Sequence, residues 1–516
     1  MRHRRAVRAF AVAGIASAVV ALSSGVAYAS NIDAGGVTTE ELTHTDISLN
    51  LLWVLIGAVL VIFMQAGFAL VETGFCRAKH ATHVVSTNFA IFGLGFVAYF
   101  LVGFGLMFGG YTAPLIGMNE PLGGALVGSG NGILLFKGGF ALQQGGGYDV
   151  SYAVFFLYMV AFMDTVATIP TGAMAERWKW KSFVIWGFFC GAIYYPIFGA
   201  WTWGGGWLAK LGESMDWGHG YVDFAGSGVV HAVGGVAGLA GAIVLGPRIG
   251  KFNKDGSANA MPGHHVPMAM LGCFILLFGW FGFNAASTFA VTDVRFAVAA
   301  TNTAIAGAFG AVMSMFWAMR RLGKPDPGMM CNGMLAGLVA ITAPCAFVDF
   351  WAAAVIGIIS GVTVIEAIIF IEKKGIDDPV GAIGVHLVHG IFGVLCVGIF
   401  ASGEYGAGWN GTTKGAAATA TGVTGILYDG ELGARQLGAQ AAGALTILTV
   451  IFGISWAFWK IQNAVMKGGI RPTEEVELEG MDIPEMGMLA YPEDAVVTEE
   501  GELLPSNYTR DGTPVM

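Results

Sequence analysis

The chain has 516 residues, of which 55% are hydrophobic and only 12% are charged, and its formal net charge is −9. A soluble protein of this length would carry about twice that fraction of charged residues, so the composition excludes an ordinary soluble enzyme or carrier. Much of the acid lies in the C-terminal tail, and no basic patch predicts nucleic acid as a partner. The six cysteines show no CxxC spacing, which argues against a disulfide framework or a Cys metal site.

The N-terminus has the three-part pattern of a secretory signal peptide. Residues 1–8 are basic, residues 9–22 form an apolar core that is short for a membrane span, and the small residues 27–29 form a cleavage site. We expect cleavage after Ala29, and an uncleaved signal anchor is the alternative.

Eleven apolar segments follow, each about as long as a helix that spans a bilayer. Their approximate centres are Leu60, Phe100, Phe162, Phe189, Val236, Phe278, Ala306, Leu338, Gly357, Val394 and Leu448. The loops after odd-numbered segments carry thirteen Lys and Arg residues, whereas the loops after even-numbered segments carry five. Because basic loops stay in the cytoplasm, we expect the mature N-terminus outside and the C-terminus inside.

These observations predict an all-α integral membrane protein with eleven transmembrane helices. Two long Gly-rich external connections, residues 111–150 and 403–436, are predicted as loops. The chain then divides into a signal peptide (1–29), an external N-terminal segment (30–47), a membrane domain (48–466) and a cytoplasmic tail (467–516).

One pattern of an aspartate, a histidine and two glycines occurs twice. It starts at Asp223 with His231 and again at Asp378 with His386, and both offsets are 155 residues. The copies lie on the fifth and tenth segments. Because five segments separate them and five is odd, the two halves have opposite orientations, which predicts an inverted five-helix repeat with its site near the midplane.

The spacing within each copy sets the depth of the histidine. Eight helical residues rise about 12 Å, so an aspartate that caps its helix at the surface places the histidine near the bilayer centre. We therefore expect the rings of His231 and His386 within hydrogen-bond distance. A single membrane histidine is as often a packing residue, but two costly polar groups in equivalent positions indicate function.

Six motifs resemble those of the ammonium transporters of the Amt/Rh family. In chain order they are GAMAER, WTWGGG, DFAGSGVVH, GWFGFNAAS, NGMLAGLVAITAPCAFV and DDPVGAIGVH, and WTWGGG favours the Amt branch. The resemblance covers roughly residues 50–490. It implies a homotrimer surrounded by lipid in the bacterial inner membrane, with ammonium as substrate, no catalytic activity and no cofactor or metal.

The resemblance also implies an outer site for the cation. Phe162, Trp203 and Ser287 would bind NH4+, since aromatic faces attract a small cation and a hydroxyl can accept its hydrogen bond. Phe162 and Phe283 would form a gate below that site. Trp203 alone would equally suit an anchor at the membrane interface.

The resemblance also implies roles for residues deeper in the membrane. His231 and His386 would be paired pore histidines, Trp280 would line the pore, and Asp223 and Asp378 would be structural supports. NH4+ would lose its proton, and NH3, with or without that proton, would cross the apolar pore. The alternative is an ammonium sensor with little flux. A membrane metalloenzyme is disfavoured because the histidines are not clustered at metal-ligand spacing.

Four residues of the membrane domain depart from the family pattern, namely His389, Asp164, Met159 and Ala286, and the tail follows the pattern except at Met486. His389 stands one turn after His386, and Asp164 stands two residues after Phe162. Residues 478–491 resemble the family's cytoplasmic tail, which predicts contacts with the loops after the first, fifth or ninth segments, in the same or a neighbouring subunit. A PII-type signal protein is a partner by resemblance. A merely solvated acidic tail is the alternative.

Overall fold

The computed structural model describes residues 42–144, 149–413 and 422–492, together with two short strands at Val496–Val497 and Leu503–Leu504. The predicted signal peptide and most of the external N-terminal segment lie outside the described residues. Within the described ranges, ten helices are long and apolar enough to cross a membrane, and a further apolar helix is shorter. The chain is therefore a helical membrane protein.

The apolar helices are numbered here in chain order. They are α1 (His44–Phe75), α2 (Ala78–Phe108), α3 (Val150–Ala173), α4 (Trp180–Trp201), α5 (Ser227–Leu245), α6 (Val266–Thr288), α7 (Arg295–Leu322), α8 (Pro327–Thr342), α9 (Phe350–Lys373), α10 (Ile383–Phe400) and α11 (Gly430–Val465). Each contains one of the predicted segment centres. The short helix is α8, which has 16 residues and so rises only about 24 Å. The prediction of eleven spans therefore stays a prediction.

The first helix begins ahead of the predicted domain boundary at residue 48. Thr43 caps it by accepting a hydrogen bond from the Asp46 backbone N–H, while the Asp46 carboxylate accepts one from the Thr43 N–H. This reciprocal capping satisfies two backbone donors that a helix start leaves free. The cap therefore fixes the helix start at His44.

Small residues bring the membrane helices into close contact. A Cβ on Gly57 of α1 would lie 2.3 Å from the Ala286 Cβ of α6, and one on Gly279 of α6 would lie 2.1 Å from Met64 of α1. Such distances leave room only for hydrogen, as at close helix contacts in membranes. The abundance of glycine is thus explained in part by packing.

The predicted external loops contain more structure than their sequence indicates. Strand β1 (Gly124–Val127) pairs antiparallel with β2 (Leu135–Lys137), and α11 begins at Gly430, inside the second predicted loop. The all-α prediction is wrong for this hairpin. Strands of four and three residues are too short for an alternating pattern to be recognised.

The tail packs against the membrane domain of its own chain. After a short helix, α12 (Glu474–Glu479), the Asp482 carboxylate accepts hydrogen bonds from the backbone N–H groups of Thr82 (3.0 Å) and His83 (2.9 Å) on α2. Glu477 accepts one from the Ile249 N–H after α5, at 2.7 Å. Contacts after the first and fifth helices were predicted, and the structure places them within one chain.

A buried ion-pair network lies on the same side as the tail. Glu176 contacts Arg248 (3.0 Å) and Arg77, and Arg248 also pairs with Asp377 at 2.8 Å. Burial would raise the pKa of Glu176, but His80, Arg248 and Arg77 outweigh it and hold the pKa at about 2. Burial acts on Asp377 in the same way, and arginines hold its pKa at about 2.

Candidate functional site

A wide cleft of about 940 Å³ opens at the N-terminal end of α3, away from the tail. Its wall includes Phe162, Trp203, Ser287 and Asp223, and these four residues define what is called here the wide cleft. The Trp203 ring meets the Phe162 ring edge to face, with centroids 5.7 Å apart. The Trp203 indole N–H donates to the Asp223 carbonyl oxygen at 2.7 Å, so the ring is fixed in place.

Tyr158 supports the polar group of this cleft, and the sequence analysis missed it. Its hydroxyl lies 3.0 Å from the Ser287 Oγ, and its ring lies 4.7 Å from that of Phe162. The Ser287 Oγ donates to the Phe283 carbonyl oxygen at 2.7 Å, which leaves its lone pairs free to accept. Since Tyr158 stands four residues before Phe162, helical spacing alone was a usable signal.

Two phenylalanine rings separate the wide cleft from the interior. Phe162 and Phe283 lie 4.2 Å apart between centroids, with an angle of 30° between their planes. Both rings are buried, at 1% and 0% exposure. A species that leaves the cleft for the interior must pass them or move them.

His231 and His386 meet directly beneath these rings. Their Nδ1 atoms are 3.2 Å apart, and the ring planes lie within 20° of each other. The His231 ring also stacks on Phe283 and on Trp280, at centroid distances of 5.4 and 5.1 Å. The predicted hydrogen-bond distance between the histidines is confirmed.

The hydrogen bond between the rings determines what their other nitrogens can do. One Nδ1 must donate and the other must accept, so a neutral pair has one Nε2 acceptor and one Nε2 donor. The His231 Nε2 is buried and has no hydrogen-bond partner among the described residues. The pair can therefore accept from, or donate to, a small polar molecule beside it.

Aspartates fix the start of both histidine helices. Asp223 accepts hydrogen bonds from the backbone N–H groups of Gly226, Gly228 and Val229, and Asp378 accepts from those of Ala382 and Ile383. Burial raises the pKa of each aspartate to about 6, although these N–H groups favour the charged form. Both aspartates therefore accept hydrogen bonds from the first backbone N–H groups of a histidine helix.

The two histidine helices contact each other reciprocally. A Cβ on Gly235 would lie 2.5 Å from the Leu387 nitrogen, and one on Gly390 would lie 2.7 Å from the Ala232 nitrogen. Gly390 is the repeat equivalent of Gly235, and Leu387 is that of Ala232. Both helices also begin with a π-helical turn, Ser227–Ala232 and Ile383–Val388.

A second, much smaller cavity lies on the side of the histidine pair towards the tail. His386, Phe68, Glu72 and Asn332 contribute to its wall, and it is called here the tail-side cavity. The His386 and Phe68 rings are 6.1 Å apart. The histidine pair therefore lies between two cavities, each lined by polar and aromatic side chains.

Trp280 flanks the histidine pair in a fixed orientation. Its indole N–H donates to the Thr342 Oγ at 2.9 Å, and that hydroxyl donates to the Leu338 carbonyl oxygen at 2.7 Å. Trp280 is fully buried. The structure thus brings Trp280 to the same column as the rings of Phe283 and His231.

Two of the departures from the family pattern, His389 and Asp164, lie outside this column of rings, whereas Met159 lines the wide cleft. The His389 Nδ1 lies 2.8 Å from the Gly384 carbonyl oxygen and its Nε2 lies 2.8 Å from the Thr363 Oγ on α9, so the ring faces away from His231. Asp164 is buried and lines neither cavity.

Comparison with other proteins agrees with this arrangement. The model of the Ammonium Transporter Family matches residues 52–491. The chain belongs to the ammonium transporter family. The ammonium transporter Amt2 of Archaeoglobus fulgidus is 42% identical over 461 residues, which cover 89% of this chain and 91% of that protein. Amt1 of Haloferax mediterranei is 35% identical over 464 residues, covering 86% and 80%.

Solved structures of related proteins have the same fold. A structure described as a sensor Amt protein is 35% identical, covers 86% of this chain and 100% of its own, and has a TM-score of 0.73. Mep2 of Candida albicans is 26% identical, with 89% and 93% coverage and a TM-score of 0.70. The predicted resemblance to the ammonium transporter family is confirmed.

Proposed function

We propose that this member of the family is a channel-like ammonium transporter. NH4+ binds in the wide cleft and gives its proton to water there or at the phenylalanine gate. NH3 then crosses the pore, and the proton either stays outside or follows separately. The observation that supports this most directly is the order of the parts: the wide cleft, the ring pair, the histidine pair and the tail-side cavity follow one another.

The wide cleft suits a small cation. Trp203 and Phe162 line it, and a cation over the face of an aromatic ring is stabilised by about 0.5–2 kcal/mol. The Ser287 oxygen can accept one N–H bond of NH4+, because its own hydrogen is used by Phe283.

The interior suits the neutral form. Two imidazolium rings whose Nδ1 atoms are 3.2 Å apart would repel strongly, so the pair carries at most one positive charge. A neutral pair can still bind NH3 through one donor and one acceptor. Hydrated K+ finds only aromatic and imidazole groups at this depth, which cannot replace its water shell.

The same proposal extends to the assembly and its place in the cell. We infer an eleven-span inverted repeat, and the reciprocal contacts of Gly235 and Gly390 support a two-fold relation between its halves. The alternation of basic loops supports an external wide cleft and a cytoplasmic tail. A homotrimer in the bacterial inner membrane and a PII-type partner follow from family resemblance.

Uptake by proteoliposomes tests the function. Purified protein should carry ammonium, with methylammonium as a tracer, and should exclude K+. Ammonium binding without flux or current would contradict transport and support the sensor alternative. A protein that conducts K+ as well as ammonium would contradict the proposed selectivity.

A further inference from the structure

Two glutamates lie buried towards the tail side, and their surroundings differ sharply. Glu176 is fully buried and has Arg77, Arg248 and His80 within 3.6 Å of its carboxylate oxygens. Glu72, near the end of α1, is 3% exposed, but no ion pair within the described residues involves it. A buried carboxylate without a counter-charge is costly and either takes up a proton or binds a cation, so the surroundings of Glu72 require an explanation.

Neutral donors hold the Glu72 carboxylate in place. The Asn88 side-chain amide donates to its Oε2 at 2.6 Å, and the Thr171 hydroxyl lies 2.9 Å from Oε1 and 2.8 Å from Oε2. The orientation of Asn88 is fixed because its Oδ1 accepts from the Thr168 hydroxyl at 3.0 Å. These partners position the carboxylate but supply no positive charge.

The position of Glu72 links it to the pore. It lines the tail-side cavity together with His386, Phe68 and Asn332. That cavity begins where the histidine pair ends. A carboxylate beside it is therefore on the route of any species that passes His386 towards the tail.

We propose that the Glu72 carboxylate binds ammonium at the tail-side end of the pathway. This inference rests on the proposed function. NH4+ brings both the missing positive charge and N–H donors for the oxygen lone pairs that Asn88 and Thr171 leave free. The site is the counterpart, on the far side of the histidines, of the aromatic site in the wide cleft.

Sided measurements of affinity test the proposal. Proteoliposomes are prepared with the protein oriented through a tag on its tail, and the flux of ammonium is recorded while it is supplied to one side at a time. For Glu72→Gln we expect an apparent affinity from the tail side that is about ten-fold weaker, which corresponds to about 1.4 kcal/mol. The affinity from the wide-cleft side should change less than two-fold.

Matched variants separate charge from packing. Glu72→Asp keeps the carboxylate and should recover most of the tail-side affinity. Glu366→Gln removes a carboxylate on α9 that contacts Trp317 and Arg321, and both affinities should stay unchanged. An equal loss from both sides in Glu72→Gln, or no loss at all, would overturn the proposal.

A binding measurement keeps this inference separate from transport. Infrared difference spectra of the purified protein, recorded on addition of ammonium chloride against sodium chloride, should show a carboxylate band that vanishes in Glu72→Gln and shifts in Glu72→Asp. If the protein shows this band but no ammonium flux, the Glu72 site is supported and the proposed transport function is wrong. If the wild-type protein transports ammonium but shows no such band, the Glu72 site is wrong and the proposed transport function stands.

Discussion

His231 and His386 face each other through the same ring atom, Nδ1 to Nδ1, at 3.2 Å. The two residues occupy equivalent positions of the repeated sequence pattern, and in the structure they meet through equivalent atoms. The loss of either ring breaks the same contact, so the two losses should have the same effect.

The first prediction concerns this equivalence. His231→Ala and His386→Ala should each remove the bridge and leave a single buried ring, so both should lose ammonium flux or selectivity against K+ at unchanged protein level. His389→Ala is the matched control, because His389 contacts Thr363 and not the pair. Uptake and K+ currents in proteoliposomes measure both properties. If both pore variants transported normally, the pairing of the histidines would have no role in transport, and the repeat would serve packing only.

The second prediction concerns the aromatic wall of the wide cleft. Trp203→Leu removes a ring that contacts Phe162 and should weaken discrimination between NH4+ and K+ or abolish uptake. Trp456→Leu on the exposed surface of α11 should have little effect, since that side chain is 43% exposed and far along the chain from the site. Competition between ammonium and K+ measures the difference. Unchanged selectivity in Trp203→Leu would make this residue an interfacial anchor.

The third prediction concerns the glycines at the crossing of α5 and α10. Alanine at Gly235 or Gly390 would place a Cβ 2.5 Å from backbone of the opposite helix, and backbone cannot move aside easily. Overpacking of this kind costs about 1–3 kcal/mol, so both variants should melt at lower temperature and lose flux. Gly453→Ala has nothing within 4 Å and should be neutral. Equal melting temperatures for all three would contradict close packing at the crossing.

Sequence patterns located the helices and the histidines because both depend on local or repeated signals. Hydropathy marks α1–α11, and the 155-residue offset pairs His231 with His386. The rest depends on contacts between distant segments. Tyr158 meets Ser287 across 129 residues, and Asp482 meets His83 across 399 residues, and neither contact leaves a pattern in one sequence. In the sequence Glu72 looks like an ordinary acidic residue near a helix end. Only the structure shows that it is buried and that no ion pair within the described residues involves it.

The fourth prediction concerns acid stability. The pKa of Glu176 lies at about 2, below its ordinary 4.5, so its ion pairs stabilise the fold above pH 4.5 and this contribution is lost as the pH falls towards 2. The full contribution is roughly 3 kcal/mol at 1.36 kcal/mol per pKa unit. Glu176→Gln should therefore lower the melting temperature at pH 7 and flatten its fall in acid.

Asp223 and Asp378 change the stability of the fold in the opposite direction as the pH falls. Because their pKa values lie above the ordinary 3.8, at about 6, the fold binds their protons more tightly, and acidification from pH 6 to 4 should stabilise it. Asp223→Asn should reduce that gain. Melting curves in detergent from pH 7 to 3 check both signs, and a wild-type curve that falls steadily from pH 6 would contradict the assignment for the aspartates.

The last prediction concerns the tail. Asp482 accepts from two backbone N–H groups on α2, and Glu477 both accepts from Ile249 and pairs with Arg471 at 2.8 Å. Removing these acceptors leaves buried N–H donors without a partner. Each such donor costs about 1–3 kcal/mol of stability where water cannot replace the acceptor. A chain truncated after Lys467 should therefore fold in its membrane part, melt at lower temperature and transport at a changed rate. A chain truncated after Glu493 keeps every one of these contacts and should behave as wild type. Asp482→Ala should reproduce part of the first truncation, because it removes the acceptor for Thr82 and His83 but leaves Glu477 in place. If all three variants transport at the wild-type rate, the docked tail does not act on the pore, and its contacts serve stability alone.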